Sequence, residues 1–197
     1  ARKLGAGAVD VQRGMRQIQR RIIAFNETVK DAKDRVSLHV ADGVHLGELG
    51  HLAMAFSILK EIGAPAVVSA ASIDARDAKL LSANGCAVTN LRNMEGVLEF
   101  DRLDEGWPVN FGTFGALNFR FVPFHSELSR YMLTVANLPS GNYDVLAGGR
   151  ALGVFDSQSL AAGVNLCSAT ADGWEPGGPW DAAAAALKMV TDARYEV

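Results

Sequence analysis

Residues 42–55 read Asp42-Gly43-Val44-His45-Leu46-Gly47-Glu48-Leu49-Gly50-His51-Leu52-Ala53-Met54-Ala55. An acid stands three residues ahead of a histidine, a short glycine-containing turn follows, and an amphipathic helix begins near Glu48. A carboxylate that orients an imidazole through Nδ1 leaves Nε2 free to take a proton from a serine or a water. Three residues of separation on a turn permit that contact. Asp42 and His45 are therefore the candidate orienter and base.

Working outward, the helix that opens at Glu48 is expected to run to Ile62, with Leu49, Leu52, Phe56, Leu59 and Ile62 on its buried side. Gly63 can take a left-handed conformation and Pro65 cannot continue a helix, so the chain is punctuated there. Upstream, Met15, Ile18, Ile22, Phe25, Val29 and Ala32 recur three and four apart, which predicts a helix over 12–34. Residues 35–40 form a short strand or a loop that delivers the chain to Asp42.

Beyond Pro65 the texture changes. Residues 66–73 are small and β-tolerant, 74–83 read as a short helix closed by Asn84-Gly85, and strand signals then dominate. Strands are expected at 97–103 and 130–138, the latter with Tyr131, Leu133 and Val135 on one face and Met132 and Thr134 on the other. Residues 118–122 alternate polar and apolar around Phe119 and Phe121. Turn chemistry at Pro139-Ser140-Gly141-Asn142 and at Gly148-Gly149 joins strands at 143–147 and 150–155, an antiparallel meander with the strand before them. A Gly/Pro-rich loop around Trp174 leads to a terminal helix over 180–195, whose alanine tract reflects helix propensity.

The 197 residues are 49% hydrophobic and 21% charged, ordinary for a globular chain of one domain or two small ones. A net charge of −3 supplies no basic field for nucleic acid or anionic lipid. Arg13, Arg16, Arg20 and Arg21 make a local stripe that reads as a solvated helix face. Cys86 and Cys167 fit no metal or redox spacing and read as small buried residues, with a disulfide between them as the alternative. No apolar run reaches the roughly 18 residues that span a bilayer.

His39, Asp42, His45 and His51 also invite a metal reading, but His39 lies across a glycine-bearing turn and the fourth ligand would have to be His51 or His125. No metal or cofactor is expected. His51 follows a glycine on the helix and reads as a structural hydrogen-bond donor. His125 lies beside Ser126 but has no glycine elbow or acid partner, and reads as structural. Trp107, Phe111, Phe114, Phe119, Phe121 and Phe124 are expected in a core, and Trp174 and Trp180 on a loop where they could stack on a sugar.

The opening stretch resembles the SGNH hydrolases, the GDSL esterase and lipase group. Their last catalytic block reads Asp-x-x-His, then Pro, then a Gly-His pair opening a helix of small and apolar residues. Asp42, His45, Gly50, His51 and Ala55 match, and Leu46 stands in the place of the proline. Leu138-Pro139-Ser140-Gly141-Asn142-Tyr143 and Gly163-Val164-Asn165-Leu166 resemble segments of a β-rich module that follows the catalytic helix in multi-domain members. The resemblance implies an α/β chain: the C-terminal fragment of a flavodoxin-like α/β/α hydrolase domain at 1–64, then a β-rich, antiparallel, sandwich-like module with a terminal helix at 65–197.

It also implies a Ser-His-Asp triad in which Asp42 orients His45 and His45 is the general base, with Gly50 and His51 structural. The family's nucleophile sits in a Gly-Asp-Ser block and its oxyanion donors in a Gly-x-Asn-Asp block. Neither occurs here, and only 41 residues precede Asp42. With no initiating methionine or leader visible at Ala1, the expectation is a fragment lacking its nucleophile, inactive alone and prone to self-association through uncovered faces. The substrate is expected to be a small-molecule or carbohydrate ester and the setting secreted or periplasmic. The competing reading is a noncatalytic β-rich module used for interaction or carbohydrate binding.

Overall fold

The three-and-four apolar spacing upstream of Asp42 forms helix α1, Val11–Thr28, in the computed structural model, which describes residues 7–108, 117–167 and 181–195. Asp10 caps α1 by accepting the Arg13 N–H at 3.1 Å. The helix ends sooner than its periodicity predicts. Thr28 turns its hydroxyl back to the Phe25 carbonyl, Val29 is extended, and Asp31 caps a separate 3₁₀ turn at Ala32–Asp34. Short polar side chains that bond local backbone outcompete continuation of the helix here.

Helix α2, Glu48–Glu61, starts and stops as its punctuation implies, with Gly63 left-handed at φ 76° just beyond it. Ile18 and Ile22 of α1 are buried, as are Leu49, Leu52, Ala53 and Phe56 of α2. Each large aliphatic side chain removed from water contributes about 1.5–3 kcal/mol. A Cβ on Gly14 would lie 2.6 Å from the Ser57 Cβ, so glycine lets the two helices approach closely.

The chain divides into two compact units, Ala1–Pro65 with Leu117–Phe124, and Ala66–Ala116 with His125–Val197. Leu117–Phe124 supplies the first unit with buried Phe121, Val122 and Phe124. Phe121 meets Phe25 edge to face at 5.3 Å, Arg120 lies 4.5 Å from the Phe25 ring centre, and Arg21 donates to the Phe121 carbonyl at 3.1 Å. The alternation at 118–122 suggests a strand, but Leu117–Arg120 is a 3₁₀ turn. Phe121 and Val122 both donate to the Asn118 carbonyl, which coils the backbone.

In the second unit the short helix expected at 74–83 is a hairpin. Strand β1, Val67–Asp74, turns back into β2, Lys79–Asn84, because the Asp74 carboxylate accepts the N–H groups of Arg76 and Asp77 and closes the turn. Strands β3, Cys86–Met94, and β4, Val97–Asp104, form a second hairpin. Then follow β5, Arg130–Ala136, β6, Asn142–Ala147, and β7, Arg150–Asp156. Phe124–Glu127 and Ser157–Ala162 are the short helices α3 and α4, β8 is Val164–Asn165, and α5 is Asp181–Tyr195.

One sheet has the order β2-β1-β5-β8, and its β1–β5 pair is parallel, with Ser72 opposite Thr134. The meander expected for 130–155 therefore does not form: β5 lies between β1 and β8, and β6 pairs with β7 alone. Asn137 is left-handed at φ 60° and tied to Asp74, and Pro139 has no N–H to donate, so the chain leaves β5 without folding back on it. Ile73, Leu133, Val135, Leu152, Leu160 and Val164 make the core of this unit. Beside it, Arg102 donates to Asp104 at 3.1 Å, to Ser69 at 2.7 Å and to the Met132 carbonyl at 3.1 Å. Ser69 Oγ in turn donates to Asp104. Cys86 and Cys167 are buried free thiols, which removes the disulfide alternative. The whole is a mixed α/β chain with several β-sheets and a terminal helix; among the described residues no helix is long and apolar enough to cross a membrane.

Candidate active site

Asp42 and His45 sit at the tip of a loop closed by backbone pairing below them. Val40 donates to the His45 carbonyl, Gly47 donates to the Leu38 carbonyl, and His39 bridges Leu46. The segment before the loop is anchored to α1 by the Asn26 amide, which bonds both the N–H and the carbonyl of Val36. Gly43, at φ 71°, supplies the left-handed turn between acid and imidazole.

Within this turn Asp42 Oδ2 lies 2.6 Å from His45 Nδ1, while Oδ1 accepts the N–H groups of Val44 and His45 at 2.9 and 3.0 Å. One carboxylate thus fixes both the ring and the backbone that carries it. The hydrogen bond to His45, and then the two backbone bonds, hold the Asp42 carboxyl below the usual carboxylate range. An ionised Asp42 places the imidazole proton on Nδ1 and leaves Nε2 a bare acceptor. The His45 side chain is 80% exposed, so Nε2 is open to an incoming hydroxyl.

Gly50 brings α2 against this loop. A Cβ there would collide with the Leu38 carbonyl oxygen, which already receives the Gly47 N–H, and would come within 2.8 Å of Leu46. His51 bonds through Nδ1 to the Gly47 carbonyl at 3.0 Å, so its ring braces the first turn of α2, as its place after a glycine implies. Among the described residues no group of three or more His, Cys, Asp and Glu side chains gathers as a metal site.

His125 has partners that its sequence neighbours do not reveal. Its Nδ1 is 3.0 Å from Cys167 Sγ, its carbonyl accepts from Asn165, and burial drops its pKa to about 4. A neutral imidazole beside a buried thiol fits a structural role for both. The Arg102–Asp104–Ser69 cluster joins residues far apart in sequence, and its one local sign is the alternate spacing of Arg102 and Asp104 along one strand face. Of the aromatics, Phe121 and Phe124 are buried and Trp107 is half exposed. Phe111, Phe114, Trp174 and Trp180 lie outside the described residues.

No family model matches the sequence, and no curated protein matches it. Among solved structures, a gut microbial diltiazem-metabolizing enzyme is similar, with a TM-score of 0.67 and 26% identity. The match covers 89% of this chain and 40% of that one, so the chain spans well under half of its neighbour's length.

Proposed function

We propose that this chain carries the acid–base part of an SGNH-type ester hydrolase. Asp42 orients His45, Nε2 removes the proton from a serine hydroxyl as that serine attacks the ester carbonyl, and the imidazolium returns the proton to the departing alcohol. The serine and the oxyanion donors belong, in this reading, to a part of a longer protein. The observation that carries it is the 2.6 Å contact between Asp42 Oδ2 and His45 Nδ1 beneath an exposed Nε2. The flavodoxin-like origin of 1–64 is part of the same proposal, with 65–197 as the accessory module except for Leu117–Phe124, which packs with the first unit.

The neighbour supports ester chemistry indirectly. Diltiazem contains an ester, and an enzyme named for metabolizing it is compatible with a hydrolase. The test is p-nitrophenyl acetate hydrolysis by a longer protein that joins this chain to a segment bearing the Gly-Asp-Ser and Gly-x-Asn-Asp blocks. His45→Ala should lower kcat by about 10³-fold or more, as loss of a triad base does. Activity that survives the substitution removes His45 from the base role.

A further inference from the structure

The second unit holds a groove of about 430 Å³ lined by Ala75, Arg76, Asn93, Asn137, Leu138 and Pro139. Its size lies within the roughly 300–1,000 Å³ of ligand clefts. Ala75 follows the last residue of β1 and Asn137 the last residue of β5, so the groove lies off the carboxyl ends of two adjacent parallel strands. There the tight β1–β2 turn and the Asn137–Asp74 bond hold the two strand ends together, which gives the groove a fixed floor.

The groove has a defined set of polar groups. Asn93 donates one N–H to the Ala75 carbonyl at 2.8 Å, and Asn137 donates one to Asp74 Oδ2 at 2.7 Å. Each amide is thereby pinned, and its Oδ1 has no partner among the described residues. The Asp74 carboxylate is consumed by Asn137 and by the Arg76 and Asp77 N–H groups, so it adds no acceptor for a ligand. The exposed Arg76 guanidinium makes no hydrogen bond or close ion pair among the described residues, and its charge acts at longer range on the Asp74 carboxylate, whose oxygens are taken up by other donors. Leu138 and Pro139 supply a small apolar wall.

We propose that this groove binds a uronic acid residue of an acidic glycan. Arg76 takes the sugar carboxylate through two parallel N–H bonds, the Asn93 and Asn137 amides meet ring hydroxyls, and Leu138 with Pro139 covers the C–H face of the pyranose. A simple carboxylic acid engages only Arg76. A neutral sugar offers the guanidinium no pair of anionic oxygens to accept its two parallel N–H groups. The site stands apart from Asp42 and His45 and does not depend on the hydrolase reading.

Calorimetric titration and amide chemical-shift mapping of the chain with galacturonate and glucuronate oligomers test this, with the matching neutral oligomers and acetate as comparison ligands. Uronate oligomers should bind at least tenfold tighter than either comparison, with shifts centred on residues 74–76, 93 and 137–139. Arg76→Ala should weaken uronate binding tenfold or more, and Arg76→Lys should restore only part of it. No uronate binding overturns the proposal, as does equal binding of neutral oligomers or of acetate. Undiminished binding by Arg76→Ala, or shifts mapping elsewhere, overturns it too. The ligand comparison uses the unsubstituted chain, and none of these outcomes bears on ester hydrolysis.

Discussion

Gly50 lies against the carbonyl oxygen of Leu38 so closely that no Cβ fits between them. That contact seats α2 under the loop carrying Asp42 and His45. Gly50→Ala gains about 1 kcal/mol in helix propensity, but the obstacle is backbone, which cannot rotate aside, and overpacking costs about 1–3 kcal/mol. The clash should win. Urea unfolding should show a lowered midpoint, and the His45 ring resonances should broaden or shift; an unchanged midpoint would mean that the helix slides at no cost.

Asp42→Asn tests what the carboxylate does for the ring. An amide can accept or donate at Nδ1, so the preference for the tautomer with its proton on Nδ1 should weaken. Imidazole nitrogen shifts in the 15N-labelled chain report this directly. Because Asp42 is held ionised below the usual carboxylate range, the unsubstituted chain should keep the Nδ1–H tautomer wherever the ring is neutral. Identical tautomer populations in both proteins would remove Asp42 as the orienter.

His125 makes folding sensitive to mild acid. Burial lowers its pKa from 6.5 to about 4, so between those values the unfolded chain binds a proton that the folded chain refuses. Its contribution is fully present above about pH 6.5 and is lost as pH falls toward 4, by at most about 3 kcal/mol. The urea midpoint of the unsubstituted chain should fall between pH 7 and pH 4.5. His125→Asn should show a shallower decline, and parallel profiles would show that other groups control it.

Arg102 binds Asp104, Ser69 and the Met132 carbonyl from a nearly buried position. Arg102→Ala leaves the Asp104 carboxylate buried without its cation, a change that costs about 3–5 kcal/mol. Removing both charges, with Arg102→Met and Asp104→Leu together, should recover much of that loss. Thermal unfolding of the single and double variants decides it; a double variant no better than the single would mean that the cluster is needed for packing rather than charge balance.

What the sequence discloses here is mostly local. The Asp42–His45 contact spans one turn, α1 and α2 carry strong three-and-four periodicity, and β5 shows its buried face at Tyr131, Leu133 and Val135. The hairpin at 67–84 resists such reading because Asp74 with Arg76 and Asp77 resembles a helix start, and β2 has one partly buried residue and five exposed ones. Phe119 and Phe121 alternate like a strand, yet both Phe121 and Val122 donate to one Asn118 carbonyl. The parallel partnership of β1 with β5 has no local signature, since Val67 pairs with Arg130 across two hairpins. Likewise, the groove beside Arg76 is assembled from three separate stretches of chain.

Placing Leu117–Phe124 in the same unit as α1 and α2 sets an order of events during synthesis. Both helices leave the ribosome ahead of the side chains that pack on Phe25 and Phe56, since Phe121 and Phe124 emerge only after four strands have been made. Until then Phe25 and Phe56 lack the rings of residues 117–124 that pack on them, and such transiently uncovered apolar surface invites chaperone binding or aggregation. A chain stopped short of residue 124 should be a better chaperone client than one allowed to pass it.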